Sequence, residues 1–217
     1  MISVRAVFFD FDGVILESAG LKHAVFVEVA TEHSPELGKA LQEALTGELG
    51  SSERVRVAHW MKMRDPRLDE GRFLRDFTSR VKSRLEAASL VAGVAPFIQD
   101  CRERGLILAI ISAAPENEIR RLLSLKGIDP ESFAAIGGSQ SGSKETVARQ
   151  VCERLSLEPS SVLYFGDMPS DLNLCEAIGF HFGRVLSSAG ERCQWANGAF
   201  PVFADFVDCK AIETGHK

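Results

Sequence analysis

Val4-Arg5-Ala6-Val7-Phe8-Phe9-Asp10-Phe11-Asp12-Gly13 is the stretch on which the fold turns. Val4 to Phe9 is short, apolar and rich in β-branched and aromatic residues, the pattern of a buried strand. It stops abruptly at two carboxylates, Asp10 and Asp12, followed by Gly13. Strands buried on both faces belong to parallel sheets, which bind ligands at the carboxyl ends of their strands. That is where the two aspartates fall.

Outward from this point the pattern changes. From Glu17 to Leu90, Leu21/Val25/Val29, Leu37/Leu41/Leu45, Val57/Trp60/Met61 and Phe73/Phe77/Val81 recur at helical spacing. Breaks fall near Ser34-Pro35, across Gly47 to Ser52 and at Asp65-Pro66, so four successive helices are expected. After Gly93 the chain alternates. Helices are expected over Ala95–Arg104, Glu116–Lys126, Lys144–Leu155 and Asp171–Ile178. Strands are expected over Leu106–Ile111, Phe133–Ile136, Val162–Phe165, Phe180–Val185 and Phe200–Phe203. Repeated β-α-β units with wholly apolar strands imply an α/β fold: a doubly wound, Rossmann-like parallel sheet. The core is expected over residues 1–16 and 91–217, with an all-helical insert over 17–90 directly after the first strand.

Four strands place polar residues at one edge. The first ends in Asp10 and Asp12; the strand from Leu106 ends in Ser112; the strand from Val162 ends in Gly166-Asp167, with Asp171 four residues on. After Phe133–Ile136 comes the loop Gly137 to Ser143, then Lys144 opening a helix. This set suits phosphoryl transfer. Asp10, Asp167 and Asp171 supply the hard oxygens that Mg2+ prefers, and the ion offsets charge on a transferring phosphoryl group. Ser112, Lys144 and the backbone N–H groups at Gly13 and after Ser112 can balance the remaining phosphate oxygens. Asp10 can attack to give an aspartyl phosphate. Asp12 can protonate the leaving oxygen and then take a proton from water.

These residues resemble the four motifs of the haloacid dehalogenase superfamily. Asp10-Phe11-Asp12-Gly13-Val14 is similar to the first, Ser112 to the second, Lys144 to the third and Gly166-Asp167-Met168-Pro169-Ser170-Asp171 to the fourth. The helical insert between the first two is similar to the helical-cap subclass, which includes phosphoglycolate phosphatases and β-phosphoglucomutases. The resemblance implies that Asp10 is nucleophile and metal ligand, and that Asp12 is acid/base and binds the metal through its carbonyl. It implies that Asp167 completes the Mg2+ site, with Asp171 as a ligand or its support. Ala113 stands where the family often has a small polar residue, leaving only its backbone N–H for phosphate. Lys22 occupies a position that is often His in cap-bearing relatives and is a candidate substrate contact. The segment Thr46 to Arg54 resembles a cap loop that enters the active site, making Arg54 a second candidate.

The activity implied is a Mg2+-dependent phosphomonoesterase for a small phosphorylated metabolite, such as a sugar phosphate or a phosphoglycolate-like acid. A phosphosugar mutase shares the motifs, and a non-catalytic binding protein on the same fold is a rival of another class. Dehalogenase chemistry is disfavoured by Asp12. Composition excludes other classes: the chain has 217 residues, a net charge of −5 and a 25% charged fraction, which gives no general basis for nucleic-acid binding. Ser51 to Arg84 alone holds ten basic and five acidic residues, which could steer an anion or simply form solvated helix faces. Cys101, Cys152, Cys175, Cys193 and Cys209 are scattered, against both a disulfide framework and a zinc site. The first residues lack a secretory layout, and no apolar run reaches the ~18–20 residues of a membrane span. A cytoplasmic location is the expectation.

Overall fold

The structure, a computed structural model, describes residues 4–46, 54–187, 195, 200–207 and 209. The chain divides into two compact units, one of residues 1–19 with 89–217 and the other of Gly20–Ala88.

The larger unit is built on a six-stranded sheet, β1 (Ala6–Phe9), β2 (Ile107–Ile111), β3 (Ala135–Gly137), β4 (Val162–Gly166), β5 (His181–Val185) and β6 (Val202–Phe203). Every pair is parallel and the order is β3-β2-β1-β4-β5-β6. The connectivity reverses direction between β1 and β4, the switch point where a crevice opens beyond the strand ends. Helices α5 (Val94–Glu103), α6 (Glu116–Leu125), α7 (Lys144–Leu155) and α8 (Pro169–Ile178) link the strands.

Strand periodicity explains how the sheet is covered. Ala6 and Phe8 share one face with Ala109, Ile111, Val162 and Tyr164, in a cluster with Val147, Val151 and Cys152 of α7 and Leu172, Cys175 and Ile178 of α8. Phe9 turns the other way. It packs against Phe97 of α5 and Phe165 of β4, with Phe206 against all three. The central strands are buried on both faces, as their unbroken apolar runs require.

Register sets the site. Phe9 pairs with Ile110 on one side and Phe165 on the other. One step further, Asp10 lies level with Ile111 and Gly166, and its N–H donates to the Phe165 carbonyl at 2.9 Å. Asp10, Ser112 and Asp167 therefore leave the sheet together.

The smaller unit contains α1 (Leu21–His33), α2 (Pro35–Thr46), α3 (Arg54–Arg64) and α4 (Glu70–Ala87). Phe73, Phe77, Val81 and Leu85 form the buried stripe of α4, capped by Asp69 accepting from the Arg72 N–H. Phe77 stacks on Phe26 with ring centroids 3.8 Å apart. Much of the basic character of Ser51 to Arg84 is spent within this unit. Arg80 binds Glu28 and Glu32, Arg84 binds Glu28, Arg67 binds Asp65 and Arg72 binds Asp76. For these residues solvated, paired helix faces are the correct reading. Residues 47–53, most of the expected cap loop, lie outside the described residues.

Several boundaries differ from expectation, among them the last strand, which is Val202–Phe203 rather than Phe200–Phe203, and two differ for plain physical reasons. The strand expected at Phe133 begins at Ala135, because a 3-10 turn over Pro130–Ser132, capped by Asp129, takes up Phe133. Helix α8 starts at Pro169 rather than Asp171, since proline is pre-organised for a first helical position. Asp171 then sits in the first turn and accepts from the Met168 N–H. Among the described residues no helix is long and apolar enough to cross a membrane.

Candidate active site

Asp10 is 6% exposed and both of its oxygens are engaged. Oδ1 accepts from the Phe11 N–H at 2.7 Å, and Oδ2 lies 2.8 Å from Lys144 Nζ. Lys144 reaches there because Ser143 caps α7 and makes Lys144 its first residue. Its ammonium also donates to Asp171 Oδ1 at 2.8 Å. Asp171 is fully buried, with Oδ2 on the Met168 N–H and the Tyr164 hydroxyl 3.4 Å from Oδ1. Asp167 is 2% exposed, and its Oδ2 accepts from the Ser187 hydroxyl at 2.5 Å. Asp10, Asp167 and Asp171 each offer an oxygen, all within 4.8 Å of one another.

Such an arrangement is electrostatically incomplete. At an effective dielectric of ~20, two carboxylates at that separation repel by about 3–4 kcal/mol. Burial pushes Asp167 up to about 7; Asp10 and Asp171 add to the rise, while the Ser187 hydroxyl and Lys144 oppose it. Asp171 is also raised, by burial first and then by Asp10, against the pull of Lys144. Burial works against the Lys144 ammonium, but Asp10 and Asp171 outweigh it and hold it protonated. One lysine thus faces three carboxylates. Buried, converging, hard oxygen donors with surplus negative charge fit a divalent cation.

The other residues singled out from sequence fall as follows. Ser112 is buried, its N–H on the Gly137 carbonyl and its Oγ 3.3 Å from the Ala114 N–H. Ala113 is exposed at the strand end. Gly13 has φ 78°, and a Cβ built on it would lie 2.4 Å from Asp167 Oδ2, so glycine is required there both by conformation and by space. The Asp12 carboxylate is not one of the three that converge within 4.8 Å, and it accepts from the Ser18 hydroxyl. Lys22 lies in the first turn of α1 in the helical unit. Arg54 opens α3, and its side chain is outside what is described.

Sequence reasoning missed three groups that touch the site: Ser18, Tyr164 and Ser187. Ser18 and Ser187 are ordinary loop serines until the fold brings them to Asp12 and Asp167. Tyr164 had a signal, being a lone hydroxyl inside an apolar strand. A buried tyrosine hydroxyl needs a partner, and this one donates to the Ile111 carbonyl at 2.9 Å.

Fold and site together define an α/β enzyme with a buried aspartate-lysine cluster at the sheet's switch point. Comparison with known proteins supplies the family: haloacid dehalogenase-like hydrolase matches residues 7–185, and the chain belongs to that family. It is 25% identical over 183 residues to a phosphoglycolate phosphatase of Synechococcus elongatus, covering 81% of each protein. It is 26% identical over 213 residues to a phosphoglycolate phosphatase of Rhodospirillum rubrum, covering 94% of this chain and 88% of that one. The solved β-phosphoglucomutase of Clostridium difficile aligns with a TM-score of 0.68 at 15% identity, over 96% of this chain and 94% of that chain, a likeness of fold. The resemblance drawn from the four motifs, and the phosphatase-type hydrolase it implied, are borne out.

Proposed function

We propose that this protein is a Mg2+-dependent phosphomonoesterase acting on a small phosphorylated metabolite, of the sugar phosphate or phosphoglycolate class. The observation that carries the reading is Lys144 Nζ at 2.8 Å from both Asp10 Oδ2 and Asp171 Oδ1, inside a buried triad of carboxylates. A lysine so held orients the nucleophile's carboxylate and is placed to meet phosphate oxygens. The relatives named phosphoglycolate phosphatase support the substrate class.

Asp10, Asp167 and the Asp12 carbonyl would hold Mg2+, which when bound offsets phosphate charge and polarises the phosphoryl group. Asp171, with both oxygens engaged by Lys144 and the Met168 N–H, supports Lys144. An Asp10 carboxylate oxygen attacks phosphorus while the bond to the leaving oxygen breaks. Asp12, turning from Ser18, gives its proton to that oxygen. Water then attacks the aspartyl phosphate, Asp12 takes the water's proton, and phosphate leaves with Asp10 restored. Ser112 and the Ala113 N–H would donate to the phosphate oxygens; the Gly13 N–H, expected from the sequence to join them, is instead donated to the Leu16 carbonyl at 2.8 Å. Lys22 and Arg54 are the residues we assign to selection of the leaving group.

The test is a panel of phosphoglycolate, hexose 1- and 6-phosphates and related esters with Mg2+, using Asp10→Asn as the blank. Phosphate release by the natural protein alone is expected. Isomerisation of a hexose 1-phosphate without phosphate release would make it a mutase. Absence of Mg2+-dependent turnover across the panel would favour a binding protein.

A further inference from the structure

Asp167 is fixed from a side that none of the four motifs supplies. Its Oδ2 accepts from Ser187 Oγ at 2.5 Å. The same oxygen faces the backbone of Gly13, where an added Cβ would lie 2.4 Å away. The segment carrying Ser187 is itself anchored. β5 pairs with β4 through Gly166–Arg184, and just before Ser187 the Leu186 N–H donates to the Phe203 carbonyl at 2.9 Å. The hydroxyl is therefore presented to Asp167 by a strand end bonded to the sheet on both sides.

We propose that Ser187 is a positioning residue for the cation site: by holding Asp167 Oδ2 it fixes the plane of that carboxylate and so the direction of its remaining lone pairs toward Asp10. This rests on the reading of Asp167 as a metal ligand. A carboxylate attached through one rotatable bond can turn its donor oxygen out of the cluster. A hydrogen bond to one oxygen blocks that rotation without occupying the other. Partners of this kind, one step removed from a metal, typically contribute ~10–100-fold in metal affinity. Were Ser187 only a satisfied strand-end hydroxyl, its loss would leave cation binding untouched.

The test titrates Mn2+, as the spectroscopic probe, into the metal-free full chain, reading free Mn2+ by electron paramagnetic resonance. Ser187→Ala should weaken Mn2+ binding by ~10–100-fold, and Ser187→Thr, which keeps the hydroxyl, should restore it. The Mg2+ concentration for half-maximal turnover should rise in Ser187→Ala by the same factor. Melting temperatures in EDTA for both variants establish that each is folded. If the natural protein and Ser187→Ala bind Mn2+ equally, the inference is overturned while the proposed function stands. If the natural protein binds no Mn2+, both fall.

Discussion

Replacing Lys144 by methionine keeps the aliphatic stem and deletes the charge that Asp10 and Asp171 share. Both carboxylates lie 2.8 Å from the ammonium, and the lysine side chain is 21% exposed. Breaking a buried ion pair by removing one partner costs ~3–5 kcal/mol. Two features reduce that figure here. The lysine keeps some contact with water, and Asp167 and Asp171, already raised, can protonate instead of remaining as bare charges. A loss of about 2–3 kcal/mol at pH 7.5 follows, or ~5–10 °C of melting temperature for a chain of this size. In EDTA the deficit should shrink as pH falls toward 5.5, because deleting the cation raises the carboxylate pKa values and protonation then relieves the repulsion. Adding Mg2+ should restore part of the loss, while turnover stays at least ~100-fold down. The assay is thermal unfolding of Lys144→Met and the natural protein at several pH values, with EDTA and with Mg2+. If the variant melts within a degree of the natural protein at pH 7.5 in EDTA, the lysine is not what keeps the carboxylates together, and the electrostatic account of the site is wrong.

Asp167 is raised from its usual range to about 7, so between pH ~4 and ~7 the folded metal-free protein binds more protons than the unfolded chain. Its stability should therefore fall as pH rises through that window, by up to about 4 kcal/mol. Urea midpoints in EDTA check this, and Asp167→Asn should flatten the slope. Gly13→Ala forces a Cβ to 2.4 Å from Asp167 Oδ2 in a backbone with φ 78°. It should lower turnover by at least ~100-fold, measured as kcat/KM, because displacing a catalytic group by about 1 Å is that costly. Phe77→Ala removes the stack on Phe26 and should destabilise the helical unit by ~3–5 kcal/mol. Arg80→Ala, on a partly exposed pair, should move the melting temperature by a few degrees at most; circular dichroism melts of both variants give the comparison.

The parts of the fold legible in sequence were those written in strong local signals. Val4 to Phe9 reads as strand because nothing polar interrupts it before Asp10, apart from Arg5 near its start. The four helices of the smaller unit read from four-residue stripes such as Phe73/Phe77/Val81. Asp10, Ser112, Lys144 and Asp167 could be placed together because each follows a strand or opens a helix at the same sheet edge. What the sequence hid was set by register and by distant segments. Nothing around Ser187 distinguishes it from Ser188, and only the pairing of β5 with β4 brings it to Asp167. The same holds for Ser18, whose partner Asp12 depends on how the chain turns after β1. Pro169 does carry the true start of α8, since a proline suits the first helical position and leaves Asp171 in the first turn.

The charge balance of the cluster constrains the order of events. Three full negative charges on Asp10, Asp167 and Asp171 against the one Lys144 ammonium would leave the site doubly negative before any ligand arrived. A phosphate monoester at neutral pH brings about two further negative charges. Placed against three carboxylates it would meet several kcal/mol of repulsion even at an effective dielectric of ~20, far more than one lysine offsets. The upward shift of the Asp167 and Asp171 carboxyls, driven by burial and by their neighbours, favours proton uptake in place of that charge when no cation is bound. A divalent cation removes the need for those protons and leaves the cluster near neutrality, and only then does the phosphate find a favourable field. Cation before phosphate is thus the order the carboxylate geometry favours, and proton release should accompany the first step rather than the second.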